Sequence, residues 1–345
     1  MNPVKMGKVA YVFPGQGSQV VGMGLHLYDR YLSAREVFDE ADKTLGFSLS
    51  RLCFAGPEDE LTQTVNVQPA VLTVSIACLK AAEEITGRSL PAPDMVAGHS
   101  LGEYTALVVA GVLSLSEAVR MVRERGRLMN EAAAAGPGGM AAVLGLDEEA
   151  IRDVCVEADT EVSNVNCPGQ IVVSGAEDKL VEFKRLAEEK GARRVIPLKV
   201  SGAFHSRLMR PAAEGLHKVI SASVFGKPLM PVIANVTAAA LTDAGSIKEE
   251  LCAQIVNCVR WRESVENMIA GGVTTFVEIG HGQVLADLIK RISSEATIYN
   301  IGDVDIEKQV ENLWMQQRRQ HIKGLLEKAM QSEKSSNGSR LSKRK

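Results

Sequence analysis

The pentapeptide Gly98-His99-Ser100-Leu101-Gly102 sets a serine between two glycines, after a short apolar run at 95–97 and before a helix-like stretch at 103–110. A G-x-S-x-G at a strand-to-helix turn exposes the hydroxyl at the positive end of the helix. The amide of the next residue, Leu101, then points at the place where an oxyanion would form. Such a serine performs acyl transfer through a covalent ester. A turn that merely needs glycines would read alike, but the strand and helix flanks favour the catalytic reading.

A serine nucleophile needs a base, and the chain has six histidines, at 26, 99, 205, 217, 281 and 321. No two have the i, i+4 spacing of a helical zinc site and H-E-x-x-H is absent, so no metal is expected. His99 adjoins the serine, so its side chain should leave the turn in another direction. His205 lies in Ser201-Gly202-Ala203-Phe204-His205-Ser206, right after a strand-like segment at 194–200. A histidine on such a loop can reach a serine at the end of another strand, with a purely structural histidine as the equal alternative. An α/β-hydrolase triad would carry its acid between Ser100 and His205, and no carboxylate there stands out.

Arg125 belongs to a helix opened by the capping box Ser114 and Glu117. At about 100° per residue, Leu115, Ala118, Val119, Val122, Gly126, Met129 and Ala133 share one stripe, and Arg125 lies at its edge. Arg120, Arg123 and Arg127 point well away. An arginine close to the core needs an anionic partner, which an internal carboxylate or a substrate carboxylate could supply. Pro14-Gly15-Gln16-Gly17-Ser18-Gln19 follows the first apolar run but fits neither a dinucleotide fingerprint nor a phosphate loop. It reads equally as a tight turn or as a loop lining a polar site with backbone amides.

These residues need a scaffold. With 345 residues the chain has room for about two domains or one domain with an insertion. It is 46% hydrophobic and 4% aromatic, with 39 basic against 42 acidic residues, which argues against a nucleic-acid binder. No stretch approaches eighteen purely apolar residues and the N-terminus has no signal-peptide core, so no membrane association is expected and the cytoplasm is the expected compartment. Six scattered cysteines without a C-x-x-C pair read as reduced thiols. The apolar pattern predicts strands at 9–13 and 95–97 and a helix at 69–86 opened by Pro69. From residue 139 it predicts the order β-α-β-β-α-β of a ferredoxin-like unit, inserted between two α/β stretches. Residues 316–345 carry nine Lys/Arg against two Asp/Glu, and the last dozen should be disordered.

Taken together, the motifs resemble the malonyl-CoA:acyl carrier protein transacylases of bacterial fatty acid synthesis, over roughly residues 8–302. They are Phe13-Pro14-Gly15-Gln16-Gly17-Ser18-Gln19, Gln68-Pro69-Ala70, Gly98-His99-Ser100-Leu101-Gly102-Glu103-Tyr104, Arg125-Gly126, Asn164-Val165-Asn166, Gly202-Ala203-Phe204-His205, and Trp261 with Ser264-Val265-Glu266. The resemblance implies an α/β-hydrolase-like core (1–136 and 203–305), a ferredoxin-like subdomain (137–202) and a helical, then disordered, basic tail (306–345). It implies acyl-carrier-protein S-malonyltransferase activity, with malonyl-CoA and acyl carrier protein as substrate and partner, no bound cofactor, and a monomer. A malonyl acyltransferase acting in trans on a polyketide synthase is the alternative, with a serine thioesterase behind it.

The same resemblance assigns Ser100 as nucleophile and His205 as base, and implies that the main-chain carbonyl of Gln254 orients the histidine in place of an acid. Replacing the Gln254 side chain should then cost little. Gln16 and Leu101 match the oxyanion-hole amides, Arg125 the arginine for the malonyl carboxylate, and Asn166 a supporting polar position. Phe204 should crowd the acyl α-carbon and disfavour a methyl branch. The family's usual Gly-Pro-Gly-Lys turn reads Gly280-His281-Gly282-Gln283 here, which leaves a loop contact open.

Overall fold

The structure is a computed structural model, and it describes residues 7–87, 90 and 92–315. Among the described residues ten strands are arranged in two sheets. In chain order they are β1 (Lys8–Phe13), β2 (Met95–Gly98), β3 (Gly138–Leu144), β4 (Glu161–Cys167), β5 (Gln170–Ala176), β6 (Arg194–Pro197), β7 (Val232–Ile233), β8 (Ala240–Leu241), β9 (Val273–Ile279) and β10 (Thr297–Ile301). The larger sheet has the order β10-β9-β1-β2-β7-β8, parallel except for the last pair. Its central strand β1 is apolar and its last four residues are buried, as expected of a strand covered on both faces.

The smaller sheet is antiparallel, in the order β4-β5-β3-β6. With the helices Glu148–Ala158 and Glu177–Glu189 it completes the β-α-β-β-α-β unit expected from the sequence. It has its own core, in which Val143, Ile151, Val154, Val173 and Phe183 are fully buried. The protein is thus an α/β-hydrolase-like core with an inserted antiparallel subdomain.

Three details differ from the sequence expectation. Strand β6 stops at Pro197, although the main chain pairs once more, the Leu198 amide donating to the Met140 carbonyl at 2.9 Å. The helix expected to open at Pro69 runs Thr64–Thr86 and contains the proline. A proline inside a helix leaves the carbonyl four residues earlier without its donor, and here Arg123 Nη1 supplies one to Val65 O at 3.0 Å. Arg123 is accordingly half-buried rather than turned to solvent. This helix is long and apolar enough to cross a membrane, but 89% of its most apolar window is buried within the protein. It is a core helix.

The third detail is at the C-terminal end. Residues 306–315 are helical, and Ile306, Val310 and Leu313 are buried in the main core. The expected helical segment thus starts at 306 and packs against the core, and the remainder, 316–345, lies outside the described residues.

Candidate active site

Ser100 sits at the turn between β2 and the helix Gly102–Val109, with φ 50°. That left-handed conformation costs a non-glycine residue free energy, so its surroundings must hold it in place. The flanking glycines are required by close approach. A Cβ on Gly98 would lie 1.9 Å from the Gly102 carbonyl carbon, and one on Gly102 would lie 2.1 Å from the Phe13 carbonyl oxygen. Asn235, just past β7, accepts from the Ser100 amide at 2.7 Å and donates to the Gly98 carbonyl at 2.7 Å, pinning the turn from outside.

His205 also has a left-handed backbone, φ 57°, in a segment without regular structure. Its loop is anchored by Ser174 of β5, whose hydroxyl donates to the Phe204 carbonyl at 2.7 Å. His205 Nε2 lies 2.8 Å from Ser100 Oγ and Nδ1 lies 2.8 Å from the Gln254 carbonyl oxygen. A carbonyl only accepts, so Nδ1 carries the proton and Nε2 offers its lone pair to the serine hydroxyl. Burial first, then the Arg125 charge, push the His205 pKa down to about 3. The ring is therefore neutral at physiological pH. His99 points away as expected, with Nε2 2.9 Å from Asn166 Oδ1 and its ring against Trp261.

Arg125 is 1% exposed, deeper than its helical position indicates. Its guanidinium donates to Gln68 Oε1 at 2.7 Å, Gln254 Oε1 at 2.9 Å and Ser100 Oγ at 3.2 Å. Among the described residues it has no ion-pair partner, and its Nε has no acceptor. Burial lowers its pKa, partly offset by Tyr104 and Glu103. A buried cation beside a serine, held by neutral amides, is suited to receive an anionic ligand.

Gln254 does more than lend its carbonyl. Its side chain is fully buried, accepting from Arg125 while Nε2 donates to the Ser100 carbonyl at 2.9 Å and to Glu103 Oε2. The expectation that this side chain is dispensable is therefore corrected: removing it would take one buried hydrogen bond from Arg125 and one from Glu103. Sequence reading also missed Gln68, Glu103 and Asn235. Gln68 and Glu103 lay inside quoted motifs, but nothing in their residue type indicated a partner.

These groups open on a cavity of about 220 Å³, lined by Gln16, His99, Ser100, Leu101, Arg125, Asn166, Phe204 and His205. Among the described residues no acceptor meets the Gln16 or Leu101 amide. The apolar side is Met140, Val172, Leu198 and Val200 from the subdomain and its exit loop, with Val284, Leu285 and Leu288 from the helix Val284–Ile292. The unusual turn before that helix makes its own contact: His281 Nδ1 lies 2.7 Å from Asp303 Oδ1, while Asp303 Oδ2 accepts from the Gly24 amide. Among the described residues no cluster of His, Cys, Asp and Glu could hold a metal ion.

Comparison with known proteins places this arrangement. The family described as "Acyl transferase domain" matches residues 10–325, further along the chain than the motifs reach. The malonyl CoA-acyl carrier protein transacylase of Bacillus subtilis (strain 168) is 49% identical over 314 residues, covering 89% of this chain and 98% of that protein. The crystal structure of an acyl carrier protein S-malonyltransferase from Vibrio cholerae superposes with a TM-score of 0.84 at 42% identity, covering 88% of this chain and 99% of that one. A malonyl-transacylase solved in complex with its type II PKS acyl-carrier protein gives 0.85 at 40% identity, covering 88% and 99%.

Proposed function

The chain belongs to the acyl transferase family, and from that premise we propose that it moves the malonyl group of malonyl-CoA onto the phosphopantetheine thiol of an acyl carrier protein, supplying fatty acid chain elongation. The observation that carries the reading is the buried Arg125 guanidinium, without a carboxylate partner among the described residues, 3.2 Å from Ser100 Oγ. A malonyl group needs that pairing: an ester-forming serine for one end and a cation for the other.

In the first half-reaction Ser100 Oγ attacks the thioester carbonyl as its proton passes to His205 Nε2. The oxyanion that forms is met by the Leu101 and Gln16 amides, and the carboxylate by Arg125. Collapse breaks the C–S bond, and the CoA thiolate takes the proton from His205. In the second half the carrier's thiol gives its proton to His205 and its sulfur attacks the malonyl-serine carbonyl. Collapse returns Ser100 Oγ, which recovers the proton. The Gln254 carbonyl fixes the tautomer throughout, as a triad acid would. Phe204 bounds the acyl side, and Asn166 holds His99 so that the elbow keeps its shape. Water must be kept out, because hydrolysis of the ester would waste the acyl group.

The chemistry needs no bound cofactor, and the enzyme would work as a monomer in the cytoplasm. A second reading has its own support. The type II PKS transacylase is as similar in fold as the Vibrio cholerae protein, so a polyketide carrier is a rival acceptor for the same chemistry. The test is transfer from malonyl-CoA to purified holo acyl carrier proteins of both kinds, followed by mass of the carrier. Malonyl-carrier formation supports the proposal, and release of free malonate without it would indicate a hydrolase instead.

A further inference from the structure

Glu103 follows the elbow but does not line the acyl cavity. Glu103 is 1% exposed and both its carboxyl oxygens face donors: Oε1 the Asn235 amide at 3.2 Å, and Oε2 the Gln254 side-chain amide. The other end of that amide, Gln254 Oε1, accepts from Arg125 at 2.9 Å. A primary amide has one donor end and one acceptor end, so the Glu103 oxygen and the Ser100 carbonyl at the donor end together fix which way it points.

We propose that Glu103 is a positioning residue for acyl selection, fixing the Gln254 amide with its oxygen toward Arg125 so that the guanidinium is set to meet a malonyl carboxylate. The inference rests on the reading of Arg125 as the carboxylate anchor. The charged groups facing Glu103 fit it. Glu250, on the helix Ala244–Gln254, bonds the Val236 amide at 2.7 Å, and Arg125 approaches from the helix Leu115–Ala135. Burial and then Glu250 push the Glu103 pKa up, while Gln254, Asn235 and Arg125 draw it back.

Glu103→Gln is the discriminating change because it keeps shape and removes one acceptor. The Asn235 donor is main chain and cannot turn, so the new NH2 group faces Gln254. That sets two N–H donors face to face, and turning the Gln254 amide to relieve them would put its oxygen against the Ser100 carbonyl and an N–H against Arg125, so the amide is pushed from its place beside the guanidinium either way. The Gln254 carbonyl belongs to the helix backbone, so His205 keeps its partner.

The experiment measures malonyl and acetyl loading of Ser100 by wild type, Glu103→Gln and Glu103→Asp. Glu103→Gln is expected to raise KM for malonyl-CoA by roughly 10- to 100-fold, as for losing a hydrogen bond to a charged group, with kcat and acetyl loading changed far less. Glu103→Asp keeps the charge on a shorter stem and should fall between. Equal losses of malonyl and acetyl loading, or an unaltered malonyl KM, would overturn the inference. If Glu103→Gln does not fold, Glu103→Asp carries the test, and a wild-type malonyl KM overturns it. Wild-type enzyme that takes up no malonyl group would instead defeat the transacylase reading.

Discussion

Ser100 and His205 share a left-handed backbone, φ 50° and 57°, but the turn at 98–102 and the loop at 201–206 hold it by different means. The turn is constrained locally: strand, two glycines packed against backbone, then helix. The loop has no such grammar. It is held from far away in sequence, by Ser174 on β5 and by Gln254 at the end of a helix in the other half of the core. A nucleophile can be written into a pentapeptide, whereas the base depends on tertiary structure, and the inserted subdomain supplies part of that support.

If the comparison is right, changes at the turn abolish chemistry and changes at the supports of the loop degrade it. The largest loss is expected for Ser100→Ala and His205→Ala, of order a million-fold in kcat, by analogy with removal of a serine-protease nucleophile or base. Single-turnover malonyl loading measures both. A His205→Ala enzyme that loads at the wild-type rate would remove the base from the account.

Next is Arg125→Ala, which should lower malonyl loading by roughly 10- to 1,000-fold through loss of one or two charge-assisted bonds while leaving acetyl loading unchanged or improved. Arg125→Lys should recover only part of the loss, because a point charge cannot make the paired contact. If both acyl groups lose equally, Arg125 is structural and the contrast between anchor and nucleophile disappears.

A smaller effect is expected at Ser174. Ser174→Ala removes one buried bond to the His205 loop and should cost about 1 kcal/mol of stability, with a several-fold fall in kcat. Thermal unfolding and loading rates are the measurements. Loss of stability with no change in kcat would show that the loop holds itself and needs no help from β5.

The smallest effect concerns pH. With its pKa pushed down to about 3 by burial and Arg125, His205 stays neutral on acidification, so kcat/KM for loading should not fall through the ordinary histidine range near about 6.5. Stability has the opposite sensitivity. Below about 6.5 the unfolded histidine binds a proton that the folded one refuses until about pH 3, so its contribution to stability declines as pH drops across that window. A kcat/KM profile with its midpoint near 6.5 would mean that the base is far less shielded than the geometry indicates.

The same contrast governs what was readable in the chain. Periodicity yielded β1, β2 and the β-α-β-β-α-β unit because their apolar patterns are local. The start of the helix at Thr64 was hidden by Pro69, whose cost is offset by Arg123, a residue far along the chain. Ser100 announced itself through its neighbours, but His205 and Arg125 gained firm roles only from motif order across the chain. The links Glu103–Gln254–Arg125 and Asn235–Ser100 stayed invisible, since a glutamine or asparagine shows its partner only after folding.

The central claim is that Ser100 carries the malonyl group. Its most direct test is the intact mass of the protein after brief incubation with malonyl-CoA, for wild type and Ser100→Ala, followed by fragmentation to locate the adduct. The account predicts one added malonyl group on wild type, placed at Ser100 and discharged by holo acyl carrier protein, and none on the variant. An undiminished adduct on Ser100→Ala, or a wild-type adduct at another residue, would contradict it.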